Sequence, residues 1–150
     1  MSLFGGMNKT ELLLKLDQFM MRAIPFNVAL GLSIEDAEEG VATLRLPYRA
    51  DLVGNPETGV LHGGMMTATL DAACGMSVFL KIQKVARIAT LDLRIDYLHP
   101  ATPPHDVIAR AECYRTTRDV AFVRALAHHG DPADPIAAAA GTFAIFGAPA

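Results

Sequence analysis

The sequence predicts an α+β fold: an antiparallel sheet of two strands and then four, with a long buried helix inserted between the two groups. Three observations carry this. Leu91, Leu93, Ile95 and Tyr97 alternate with Asp92, Arg94 and Asp96, the period of a half-buried strand. Residues 65–80 are apolar on nearly every side, which suits a helix surrounded by protein. Turn residues separate the other strand-like runs, at Glu39-Gly40, at Thr116-Thr117-Arg118-Asp119 and at Gly130-Asp131-Pro132.

A chain of 150 residues, 51% hydrophobic and 19% charged, is expected to form one domain over 1–150, with an N-terminal segment and helix over 1–24 and a core over 25–147. The first helix is predicted over residues 9–23. Asn8 caps it and Glu11 stands at the third helical position, a variant of the capping box. Leu12, Leu16, Phe19, Met20 and Ala23 recur at helical spacing, and Pro25 ends the run. A hairpin follows, with strands over 29–38 and 41–47. Residues 48–61, broken by Asn55-Pro56 and Gly59, read as a long loop, and long loops in compact domains are often functional. Gly63-Gly64 then opens the second helix, which is expected to run to Ile82. The alternating strand beyond it ends at His99-Pro100. Three more strands are predicted, over 106–116, 120–128 and 136–146. Residues 137–140 are all alanine and favour helix by propensity. Pro135 and Gly141 bracket them, however, and residues 142–146 are β-rich, so strand is expected.

The net charge of −3 disfavours a dominant basic surface for nucleic acid. Cys74 and Cys113 can form at most one disulfide and have no zinc spacing, so a reduced, cytoplasmic protein is expected. No membrane span is expected, since Thr67, Thr69, Asp71, Gly75 and Ser77 interrupt the longest apolar stretch. Nor is a signal peptide, because Leu12-Leu13-Leu14 is flanked at once by Glu11, Lys15 and Asp17.

Asp71 is the most informative residue. An unpaired carboxylate in the middle of an apolar helix is expensive to bury. Either it reaches solvent or a local partner, or it is held in an apolar pocket that sets its reactivity. His62-Gly63-Gly64 precedes the same helix, so unpaired backbone N–H groups point outward there, and the two glycines let a ligand come close. Such a terminus can stabilise a carbonyl oxygen that becomes negative, although Gly-Gly can also be only a tight turn. Gly63 and Asp71 stand eight residues apart, about 12 Å along a helix. One helix cannot bring both to a single carbonyl. Two antiparallel copies can, which predicts a two-fold dimer with two sites at its interface.

The run Gly59-Val60-Leu61-His62-Gly63-Gly64, followed by Ala68-Thr69-Leu70-Asp71, resembles the hotdog-fold acyl-CoA thioesterases of the phenylacetic-acid-pathway (PaaI-like) type. Ile95-Asp96-Tyr97-Leu98 and then Pro100 are similar to that family's next strand, and the resemblance spans residues 25–147. It implies a sheet wrapped round one central helix. It further implies hydrolysis of an acyl- or aryl-acyl-CoA thioester, with no metal or bound cofactor and with coenzyme A as part of the substrate. Asp71 would be nucleophile or general base on water. The Gly63 N–H, helped by the helix dipole, would polarise the carbonyl. His62 and a loop asparagine would orient substrate or water. Asn55 is the candidate, one residue further from His62 than the family spacing. Thr90 falls where the family has a hydroxyl residue, but its parity puts it with Asp92 and Arg94 on the polar face unless the strand bulges. Gly64 would contact the substrate. The coenzyme phosphates need cations, and Arg118, in a predicted hairpin turn, is the first choice. A homodimer, or a tetramer made of two dimers, is the expected assembly.

The remaining candidates have plain readings. His99, His128 and His129 are expected at the surface or at strand ends, and no pair of histidines has metal-ligand spacing. Cys74 could be a nucleophile activated by His62, but a buried structural thiol is the simpler reading. The alternative function is a non-catalytic acyl-CoA-binding or regulatory module on the same fold, against which Asp71 argues. A hotdog dehydratase would need a motif context that this sequence lacks.

Overall fold

The computed structural model describes residues 4–84 and 86–147. The capping box forms as expected. Asn8 Oδ1 accepts from the Glu11 N–H (3.0 Å), and Glu11 Oε2 accepts from the Asn8 N–H (3.2 Å). Helix α1 (Lys9–Leu16) does not run on to Ala23, however. Its chain passes into a wider π-helical turn over Asp17–Met21, closed by Arg22 N–H on the Asp17 carbonyl (2.8 Å). The Met20 carbonyl is taken by the side chain of Asn27 at 2.9 Å. Pro25 likewise does not end the helical region. It sits in the first turn of α2 (Pro25–Leu30), where its missing N–H is no loss. Gly31, at φ 73°, closes α2, so the strand predicted from residue 29 begins only at Ser33.

Strands β1 (Ser33–Glu38) and β2 (Val41–Leu46) form the expected hairpin. The predicted loop that follows is partly ordered. A 3-10 turn (Ala50–Leu52) leads into β3 (Val53–Asn55), which pairs with β4 (Val60–Leu61) in a two-stranded sheet of its own. Helix α3 (Gly63–Ile82) comes next, then β5 (Arg87–Tyr97), β6 (Val107–Thr116), β7 (Val120–His128) and β8 (Ala137–Phe146). The main sheet is antiparallel, in the order β1-β2-β6-β7-β8-β5. Residues 137–140 are strand because β8 pairs on both sides, with β7 and β5, and that pairing outweighs alanine's helix preference.

The sheet curls round α3. Leu44 and Leu46 of β2, Ala109 and Ala111 of β6, and Val123 of β7 are buried in one core with Leu70, Ala73, Cys74 and Val78 of the helix. By length and apolar composition α3 could cross a membrane, and it is the sheet that covers it here, with half of that stretch buried. Thr69 and Ser77 are fully buried, but their hydroxyls donate to the carbonyls of Met65 and Cys74, both at 2.7 Å, so neither is left unpaired. Gly64, Thr67, Ala68, Asp71, Ala72 and Gly75 make up the less covered stripe of α3. Alongside it, β5 is an edge strand that pairs only with β8 among the described residues.

His128, expected at the surface or at a strand end, ends β7 and is buried there, its Nδ1 accepting from the Gly130 N–H at 3.0 Å. Burial lowers its pKa below the ordinary histidine value. His129 also has a structural place, with the Thr102 N–H donating to its Nε2 (3.2 Å).

Candidate active site

Asp71 lies half-buried on the open stripe of α3, and the hydroxyl of Thr90 donates to its Oδ1 at 2.7 Å. The parity of β5 had put Thr90 on the polar face. A bulge between Thr90 and Asp92 reverses that parity. Before the bulge the even residues Ile88 and Thr90 face the Asp71 cavity; beyond it the odd residues Leu93 and Ile95 pack on the core. Leu91, expected inward, is therefore 61% exposed. Across the ladder Gly141 of β8 faces Leu93, and a Cβ there would collide with the carbonyl oxygen of Asp92. A glycine is required where the bulged strand comes so close.

Asp71 and Thr90 stand at the wall of a cavity of about 360 Å³. Apart from them and Asn27 its lining is apolar, with Met20, Ile24, Met76, Ile88 and Phe143 among the contributors. The polar pair is thus aimed into an oily space, the usual composition of a small-molecule site.

A second cavity, about 350 Å³, opens at the N-terminus of α3 and is lined by His62, Gly63, Met66, Tyr97, Pro100 and others. His62 is the N-cap, and its Nδ1 accepts from the Gly64 N–H at 2.9 Å. In the neutral ring the proton must then sit on Nε2. Gly54 of β3 backs this turn so closely that a Cβ would lie 2.8 Å from His62 Cα. Tyr97, at the end of β5, donates its hydroxyl to the Gly63 carbonyl (3.0 Å) and meets Thr67 Oγ1 at 2.9 Å. The first turn of α3 is therefore held from both sides.

The fold brings Asp71 together with Thr90, and His62 together with Gly63 and Gly64, but at separate places along one helix. Asn55 turns its Oδ1 back to the Glu57 N–H (3.0 Å) within its own loop. Arg118 stands in the β6–β7 turn, its side chain 93% exposed and paired with Asp119 at 3.0 Å. Cys74 is buried, and burial pushes its thiol up to about 12, so it is protonated at neutral pH. No group of three or more His, Cys, Asp or Glu among the described residues is placed to hold a metal. Tyr97, Thr67, Gly54 and Gly141 were not read as site residues from the sequence. Tyr97 keeps the odd phase of Leu93 and Ile95, and only the bulge after Thr90 reveals what Gly141 does.

Residues 58–136, which include His62, Asp71 and Thr90, match the thioesterase superfamily. The chain belongs to that superfamily, and it is a thioester hydrolase with the hotdog fold. It is similar to the medium/long-chain acyl-CoA thioesterase YigI of Salmonella typhimurium, 33% identical over 121 residues, which are 72% of this chain and 77% of that protein. A Pseudomonas aeruginosa protein of known structure is 45% identical, with a TM-score of 0.79 over 88% of this chain and 98% of its own. The Escherichia coli PaaI protein from the phenylacetic acid degradation operon shares the fold, with a TM-score of 0.80 over 93% of this chain and 97% of that one, at 17% identity.

Proposed function

We propose that this protein hydrolyses acyl-CoA thioesters to the free acid and coenzyme A, in sites shared between two copies of the chain. The observation that carries the reading is the Asp71–Thr90 pair: a carboxylate held by a 2.7 Å hydrogen bond at the wall of a largely apolar cavity. With Oδ1 held by Thr90, Oδ2 is the oxygen that attacks the thioester or takes a proton from water; both roles fit. The similarity to the acyl-CoA thioesterase YigI of Salmonella supports coenzyme A as the carrier.

The carbonyl oxygen of the substrate meets the Gly63 N–H of the other copy, where the helix N-terminus favours negative charge. Tyr97 on the Gly63 carbonyl fixes the angle of that turn. His62 Nε2–H orients substrate or water, Gly64 allows close approach, and Asn55 on the neighbouring strand assists. Arg118 exchanges Asp119 for a coenzyme phosphate. The long open edge of β5 supports an antiparallel two-fold contact. The steps use side chains and backbone of the chain alone, and two unpaired thiols suit a reducing cytoplasm.

The test is thiol release from short, medium, long and aromatic acyl-CoAs, with Asp71→Asn run alongside. The expected outcome is turnover by the wild type and a loss of roughly 10²–10⁴-fold in a variant that still folds. Undiminished turnover by folded Asp71→Asn would remove the carboxylate from the reaction.

A further inference from the structure

The cavity beside Asp71 has an apolar neighbour. A second space of about 220 Å³ is lined by Phe4, Met7, Leu16, Phe19 and Phe79, with the chain of Lys15 at its margin. Among the described residues Met20 alone lines both cavities, so it stands between them.

The two spaces lie in succession along one side of α3. Ala68, Ala72 and Gly75 flank the first, and Phe79, one further turn along, flanks the second. The small residues at 68, 72 and 75 leave a trough beside the helix; the two spaces together, from Asp71 to Phe79 across Met20, extend about 12 Å. A straight, flexible chain fits such a trough. An aromatic ring would fill only its first part.

The wall that carries Met20 is specifically built. The π-helical turn over Asp17–Met21 ends with the Met20 carbonyl bonded to Asn27 Nδ2 at 2.9 Å, and Asn27 is itself buried. That bond fixes the backbone of Met20 against the trough while the unbranched side chain stays adaptable. This segment precedes residues 58–136, the stretch that matches the thioesterase superfamily and carries Asp71 and Thr90.

We propose that the substrate's acyl group is an unbranched aliphatic chain lying in the trough beside Asp71, and that Met20 sets its maximum length by closing the passage to the space lined by Phe19 and Phe79. This rests on the thioesterase reading above. Met20→Ala removes three heavy atoms from the partition and joins the two spaces, so the preferred chain lengthens by about two to four carbons. Met20→Phe fills the end of the trough and shortens it.

The experiment is kcat/KM across saturated acyl-CoAs of increasing even chain length, for the wild type and both variants. Binding of hydrolysis-resistant acyl-thioether CoA analogues of the same lengths is measured in parallel. Opposite shifts of the optimum in the two variants support the proposal, and if one variant fails to fold, the shift in the other decides. Turnover with superimposable length profiles in all folded variants overturns the role of Met20 and leaves the thioesterase reading standing. Absence of hydrolysis together with length-selective binding that follows Met20 would uphold the trough and remove the hydrolase reading. Neither hydrolysis nor binding would overturn both.

Discussion

Two buried or half-buried groups on α3, Asp71 and Cys74, lie one turn apart and have opposite fates. Asp71 faces the open stripe and gains a hydroxyl partner, while Cys74 points into the core, where desolvation holds it as a thiol. Burial penalises the thiolate and pushes the thiol up to about 12, so Cys74 is protonated near neutrality and is a poor nucleophile there. Cys74→Ala is therefore expected to keep turnover and to cost about 1 kcal/mol of stability through the small void it leaves. Thermal unfolding alongside the thiol-release assay checks this, and a large loss of kcat in a folded variant would contradict it. Resistance of native Cys74 to alkylation at pH 8 is the companion expectation.

At the scale of elements, the bulge in β5 matters most. It turns one strand into two with opposite parity, so that Thr90 reaches Asp71 while Tyr97 reaches the first turn of α3. Gly141 makes room for it. Gly141→Ala is expected to destabilise the protein by about 1–3 kcal/mol, because either β5 or β8 must give way. Its folded fraction should also lose activity, as the shift carries Thr90 away from the carboxylate. Comparing kcat per folded molecule with that of Thr90→Ala tests the link. Equal stability loss with undiminished kcat would show that the bulge does not position Thr90.

The whole molecule raises the question of where one site ends and another begins. Asp71 and Gly63 are too far apart on one helix to serve one carbonyl. Chains carrying Asp71→Asn and chains carrying Gly63→Val should each be inactive alone. Refolded together at equal amounts, half of the dimers are mixed, and each mixed dimer contains one intact site, so about a quarter of wild-type activity should return. No recovery, despite mixed dimers seen by mass, would place each site within a single chain.

The sequence by itself determined the six strands of the main sheet and the long buried helix α3, because these depend on local periodicity, and Asp71 stood out as an acid in apolar surroundings; the helix at Pro25–Leu30 and the β3–β4 pair were not legible in it. The capping box at Asn8 and the hairpin at Glu39-Gly40 were legible for the same reason: their signals lie within four residues. The tertiary structure alone decided the rest. The turn at Asp17–Met21 exists with a hydrogen bond from Asn27, seven residues from Met20, and no helical repeat reports it. His128 is covered by its place at the end of β7 rather than by its own polarity. Thr90 faces Asp71 because a bulge opposite Thr142 and Phe143 reverses the strand, and that pairing joins residues some fifty positions apart. Contacts of that kind are set by how the sheet closes round the helix, and a period of two cannot announce where it will be broken.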